Sequence, residues 1–261
     1  MTSDARLLIV NADDFGMSPE INEGIILGFR RRVITETSLM SKGPFAKEAA
    51  REALEQGIEA GIHIDLDRLL GWYSPGGERF SRQELTAMMK EEGFLRILSR
   101  EIEEQIELFL SFGLSPSHIN THHHVHGFLP VFRLMIEAAQ RFGIRAMRFS
   151  RTGYRLPTRQ DIPFSPSIYR EMEAELRRRG MIFAEQMIEG IETFMGQEIK
   201  GITELVLHPA KGGEEWRRKE LEGVLSSSFR EKLQKEGVKL TSFRRLAASQ
   251  LTTRGREEYS L

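Results

Sequence analysis

Asp13 and Asp14 stand side by side in NADDFG, and five of the seven histidines, His118, His122, His123, His124 and His126, crowd into SHINTHHHVHG. Imidazole is the commonest side-chain ligand for transition metals. Two adjacent carboxylates at a strand end repel each other unless a cation or a proton relieves them. The remaining histidines are His63 in GIHIDL and His208 in LVLHPA. One carboxylate and two imidazoles around an ion leave coordination positions open. Such a set acidifies water and polarises a carbonyl, while a second aspartate takes a proton and a remote histidine gives one. The inventory fits metal-assisted hydrolysis of an amide or ester. It fits equally a two-histidine, one-carboxylate iron oxygenase or a phosphoesterase. Five clustered histidines cannot all bind one ion, and spacing alone does not choose among them. In an extended segment His122 and His124, or His124 and His126, share a face.

The elements that would position these residues alternate. Leu7 to Val10 reads as a buried parallel strand, and Ser18-Pro19-Glu20 as the capped start of a helix running to about Arg32. Strands follow at 33–40, 61–66, 118–120, 146–149, 203–207 and 238–240. Helices are expected at 45–56 with Gly57 as its cap, from a capping box at Ser81 to Glu84, along the stripe Ile102, Ile106, Phe109 and Leu110, at 131–142, as two helices reaching Met195, near 226–236, and last in the chain. The pattern predicts an α/β fold with a parallel sheet, either a (β/α) barrel or an open doubly wound sheet. Residues 1–250 read as one domain and 251–261 as a frayed tail. Asp13-Asp14, His63, the histidine cluster and His208 each end or follow a predicted strand, where parallel folds keep their active sites.

Composition narrows the chemistry. There is no cysteine among the 261 residues, which excludes thiol nucleophiles, iron–sulfur clusters and disulfides. A net charge of −1 gives no global attraction to nucleic acid. The N-terminus lacks a signal peptide and no stretch has the length of a membrane span, so the cytoplasm is the default expectation. HExxH, a P-loop and a GxGxxG after the first strand are all missing, and GLSPSH and GWYSPG are not nucleophile elbows.

LLIVNADDFGMSPEINEGI, GIHIDL, PSHINTHHHVH and ELVLHPA, in that order, resemble the YdjC-like carbohydrate deacetylases over about Arg6 to Ala210. The resemblance implies a distorted, TIM-like (β/α) barrel related to the polysaccharide deacetylases. It implies removal of an acetyl group from an N-acetylated amino sugar with one divalent metal, Mg²⁺ by family, with Zn²⁺, Co²⁺ or Mn²⁺ as alternatives. Carried onto this chain, Asp14, His63 and His122 would be metal ligands, Asp13 the base and His208 the acid. Arg148, His124, His126, Trp72 and Tyr73 would be substrate-side residues, with Arg148 orienting Asp13 or the substrate. Asn120 replaces an aspartate common in oligosaccharide-active members. With TSLMSKGPFAKEA, it makes the chain resemble the hopanoid-associated branch, which would make the partner an N-acetylglucosaminyl glycolipid. A homodimer stays open. The competing readings are another metal hydrolase or oxygenase on the same ligands, and a catalytically silent metal- or sugar-binding domain. Retention of both aspartates and of His208 argues against the silent domain.

Overall fold

The computed structural model describes residues 6–71, 80, 82–151 and 165–249. In chain order its elements are β1 (Leu7–Phe15), α1 (Pro19–Arg30), β2 (Glu36–Leu39), α2 (Ala46–Gln56), β3 (Ala60–Ile64), α3 (Arg82–Met88), α4 (Glu92–Ser111), β4 (Ile119–Thr121), α5 (Leu129–Arg141), α6 (Pro166–Arg178), β5 (Gln186–Glu189), α7 (Ile191–Gly196), β6 (Ile202–Leu207), α8 (Glu215–Leu225), α9 (Ser227–Lys235) and β7 (Lys239–Thr241). The sheet runs β4-β3-β2-β1-β6-β5, with every pairing parallel. β7 takes the first residues of β1, and β2 takes the later ones. Parallel bridges Ile119–Met147 and Ala146–Ile182 carry the ladder from β4 to the segment entering β5. The sheet thereby returns to itself as a distorted (β/α) barrel, closed on that side by single bridges.

Side-chain alternation decides what fills the barrel. Leu8, Val10 and Ala12 of β1 pack outward in the main apolar core, as do Ile62 and Ile64 of β3 and Leu205 and Leu207 of β6. Ile9 points the other way, into a small apolar floor with Ala146, Ile182, Phe243 and Leu246. The positions in register with it are polar and buried: Asn11 and Asp13, Glu36 and Ser38, His63, His118 and Asn120, Arg148, and Glu204. The strands are therefore buried on both faces, but only the helix-facing side is apolar. Gly61 leaves room inside for His118, whose Nδ1 would sit 2.3 Å from a Cβ at that position. Buried charges on this scale need partners, which the site supplies.

Several expected elements shift. β2 and β3 are shorter than predicted, and residues 146–149 form bridges rather than a full strand. Leu110 lies on the outer face of α4 at 38% exposure, where Gln105 instead joins the inner stripe. The second of the two helices expected to reach Met195 is β5 followed by the short α7, and α8 was not anticipated. Ser18 caps α1 by accepting from Ile21 N, and Gly57 ends α2 at φ +67°, both as expected. The last helix is present over 243–249. Ser81, Trp72, Tyr73 and the tail 251–261 lie outside the described residues.

The docking of α1 yields a prediction. A Cβ on Gly24 would lie 2.7 Å from Ala210 Cα, on the loop just past His208. Alanine in a helix interior is worth up to about 1 kcal/mol over glycine. Overpacking against backbone costs about 1–3 kcal/mol, so the clash wins. Gly24→Ala is expected to lower the urea midpoint, and a raised midpoint would refute the contact.

Candidate active site

Neighbouring residues of a strand face opposite ways, yet Asp13 and Asp14 reach one pocket. Asp14 has φ +67°, and the β1–β2 register shifts between Ala12 and Phe15. This irregularity turns Asp14 back toward the barrel mouth. Aspartate tolerates the left-handed region better than most residues, and such strain gathers at functional sites. Gly16 N donates to Asn22 Oδ1 at 2.7 Å, tying the turn to α1.

Asp14 Oδ1 lies 3.2 Å from His122 Nδ1 and 3.4 Å from His63 Nε2, and those two nitrogens are 3.3 Å apart. All three residues are buried, and Asp14 Oδ1 accepts no hydrogen bond. A tetrahedral ion with bonds of about 2.0 Å has ligand–ligand edges of about 3.3 Å. The donor set thus fits a divalent cation, and an unsatisfied carboxylate oxygen is what such an ion would relieve. Asp14 Oδ2 is fastened elsewhere, by Arg217 NH2 of α8 at 2.7 Å. Burial opposes ionisation of Asp14, but the adjacent imidazoles of His122 and His63, with His208, hold its carboxyl well below the usual range. Burial likewise pushes His122 down, and Asp14 outweighs it to raise that imidazole.

Asn120 sets which nitrogen of His63 is available. Its amide sits 2.5 Å from His63 Nδ1. With its oxygen toward the ring, the amide accepts from Nδ1–H and leaves Nε2 free to bind metal. The reversed orientation satisfies both ends of the amide: its nitrogen donates to His63 Nδ1 and to Ile62 O at 3.2 Å, and its oxygen accepts from Arg148 at 3.1 and 3.2 Å and from Ser38 Oγ at 3.2 Å. That arrangement suits the tautomer protonated on Nε2.

Asp13 is built into a different network. Its Oδ1 accepts from Asn11 Nδ2 at 2.6 Å, Ser38 Oγ at 2.6 Å and Arg148 NH2 at 2.8 Å. Its Oδ2 accepts from Arg148 NH1 at 2.6 Å and faces His208 Nε2 at 3.9 Å and His63 Nε2 at 4.0 Å. Oδ2 is thus the oxygen turned toward the pocket. Arg148, fully buried, also donates through Nε to Glu204 Oε1 at 2.9 Å. Burial would raise Asp13, but the Arg148 charge, aided by His63, holds it far below the usual carboxylate range. His208, at the end of β6, is held from α8: Glu220 Oε2 accepts from His208 N at 2.5 Å and lies 3.9 Å from its Nδ1. Burial pushes Glu220 up against the opposing charge of His208.

The histidine cluster disperses. Its 3-10 turn passes through φ +53° at His123 and +52° at His124, so the simple alternation expected of an extended segment does not apply. Only His122 joins Asp14 and His63. His123 pairs with Asp67, His124 faces Glu189 at 3.6 Å, and His126 meets Thr121 Oγ1 at 2.6 Å. Burial, with the charges of His124 and Arg148, presses His126 well below its usual value. His118 lies deep in the barrel, 3.4 Å from Glu36. Asp67, His122 and His123 form a second ligand-type group, sharing His122 with the first.

Arg217, Glu220, Glu204 and Ser38 all contact the site without having been singled out in the sequence. Arg217 and Glu220 had one faint signal, the i,i+4 spacings Arg217/Leu221 and Glu220/Val224, all four buried in α8.

The fold and this pocket define a parallel (β/α) barrel with an Asp/His/His group that could hold a cation at the carboxyl ends of its strands. The chain belongs to the YdjC-like protein family, whose model matches residues 7–235. A carbohydrate deacetylase of Geobacillus stearothermophilus is 38% identical over 173 residues, 63% of this chain and 68% of the relative. A chitooligosaccharide deacetylase of Enterobacter sp. (strain 638) is 32% identical over 260 residues, covering 91% and 98%. A crystal structure from Enterococcus faecalis V583, provisionally assigned to cellobiose-phosphate cleavage, has a TM-score of 0.70 at 22% identity, covering 93% of this chain and 99% of that one. That last likeness bears on the fold alone.

Proposed function

We propose that this chain is a metal-dependent deacetylase that hydrolyses the acetamide of an N-acetylated amino sugar. The observation that carries the reading is the Asp14–His63–His122 group with a second aspartate and a histidine beside it, Asp13 Oδ2 and His208 Nε2 lying 3.9 Å apart. Full-length similarity to a chitooligosaccharide deacetylase supports the substrate class. A divalent ion held by Asp14, His63 and His122 would acidify water and polarise the acetamide carbonyl. Asp13 takes the water proton at Oδ2, the atom facing the pocket, while Arg148, Asn11 and Ser38 hold the carboxylate still. Arg148 keeps Asp13 ionised at neutral pH, so its proton-accepting form is the one present, at a cost in basicity. His208 gives a proton from Nε2 to the departing nitrogen as the C–N bond breaks, with Glu220 holding its loop. Acetate and a free amine are the products. The Asp14–Arg217 bond occupies Oδ2 and leaves Oδ1 as the oxygen that would hold a cation.

The finer substrate choice is between a free chitooligosaccharide and a glycolipid such as an N-acetylglucosaminyl hopanoid. Asn120 favours the glycolipid. So does a pocket of about 270 Å³ lined by Met17, Met40, Pro44 and Asp65 at the ends of β1–β3, which offers apolar ground for an aglycone. Among the described residues no helix is long and apolar enough to cross a membrane.

Chelation is expected to abolish acetate release from N-acetylglucosamine conjugates, and readdition of Zn²⁺, Mn²⁺, Co²⁺ or Mg²⁺ to restore it. At a metal concentration 100 times Kd, the ion should add about 2.7 kcal/mol to folding stability, read as a raised melting temperature. Undiminished acetate release after chelation would exclude the mechanism. Comparing octyl with methyl N-acetylglucosaminides decides the aglycone: equal kcat/KM removes the glycolipid reading.

A further inference from the structure

We propose that the exposed indole of Trp216 is a stacking platform for a sugar ring of the substrate, set beside the proton donor of the site. The proposal rests on the deacetylase reading and extends it to a residue of α8. Trp216 is 46% exposed, one of few large apolar side chains so placed among the described residues. Its ring lies 5.7 Å from the His208 ring, nearly edge-on at 60°. The Arg217 guanidinium sits over the ring, 4.5 Å from its centroid. Arg217 is itself buried and bonded to Asp14 Oδ2 at 2.7 Å and paired with Glu214 at 3.2 Å. The indole is thus referenced through one residue to the cation site and touches the candidate acid directly.

An exposed tryptophan held in place loses little freedom on binding, and its face is apolar enough to meet the C–H face of a pyranose. Its position fits the substrate end that carries the nitrogen: His208 must stand next to the departing amine, and the sugar bearing that amine must begin there. The apolar pocket at the ends of β1–β3 lies across β1 from β6 and His208, so the two features do not compete for the same part of the substrate.

The test uses di-N-acetylchitobiose and a sugar-free acetanilide. Trp216→Ala is expected to raise KM for the disaccharide about 3- to 10-fold, the scale of one aromatic contact, and to affect the acetanilide less. Trp216→Phe should recover most of the loss. Equal losses on both substrates, or an unchanged disaccharide KM, would overturn the platform. A second measurement is independent of turnover: in Trp72→Phe, Asp13→Asn protein, emission comes from Trp216 alone and should shift on titration with di-N-acetylchitobiose. A shift without acetate release by wild type would keep the platform and reject the deacetylase reading. Acetate release with no shift would do the reverse.

Discussion

Asp13→Asn is expected to lower turnover about 10³-fold or more while calorimetry still registers stoichiometric metal binding. Loss of a general base costs typically about 10²–10⁴ in rate. The ligand set is untouched, since Asp14, His63 and His122 meet at Asp14 Oδ1 rather than at Asp13. Folding should survive as well. The buried group Asp13–Arg148–Glu204 carries one cation between two carboxylates, and the substitution leaves the Arg148–Glu204 pair balanced, with Nε to Oε1 at 2.9 Å. Retained activity would remove Asp13 from the chemistry. Lost metal binding would mean that it helps hold the ion.

Arg148→Met should do the opposite and strike stability first. It leaves Asp13 and Glu204, both fully buried, without their shared cation. Removing one partner of a buried ion pair costs about 3–5 kcal/mol, because the remaining charge is uncompensated. The penalty has a defined pH dependence. In the native protein the folded Asp13 pKa is depressed below its ordinary 3.8, so its contribution is present above that value and is lost as pH falls through the folded pKa. In the variant burial still raises the carboxyl while its largest opposing charge is gone, leaving only the weaker pull of His63 and His208 and the Asn11 and Ser38 hydrogen bonds, so protonation at lower pH relieves the strain. The gap between wild type and Arg148→Met in urea should therefore narrow as pH falls from 7 toward 4. Adding Asp13→Asn and Glu204→Gln should recover part of the loss at pH 7. A gap independent of pH would show that the arginine matters for packing volume and not for charge.

The grouping of the polar residues was legible because strand ends are legible. Leu7 to Val10 and Thr203 to Leu207 read as buried strands, and the polar residues that follow them are the ones that meet. Two things were not legible. The barrel interior hides behind strands that look apolar, since only every second residue is polar and Glu36 and Glu204 look like isolated surface residues in the sequence. The helix carrying Arg217 and Glu220 was missed for a related reason. EEWRRKELEGVL has few apolar positions, and its inner face is turned to the site by ion pairs as much as by Leu221 and Val224. The histidine run was legible only in part: its density marked a ligand position without saying which residue fills it. The left-handed turns at His123 and His124 send His123, His124 and His126 to separate partners, and His118 pairs with Glu36 deeper in the barrel.

The left-handed residue at the end of β1 has a consequence for how the site tolerates motion. His63 and His122 come from separate segments, so their distances to a bound ion depend on barrel register and change as the sheet breathes. Asp13 and Asp14 are joined by one peptide bond. The peptide bond holds their Cα atoms about 3.8 Å apart whatever the sheet does, and the φ at Asp14 turns both side chains to one side. The carboxylates themselves are aimed from elsewhere, Asp13 by Ser38 and Arg148 and Asp14 by Arg217. Loosening the barrel would therefore spread the histidines from Asp14 and release the aim of the base, while the two backbone positions stayed tied together.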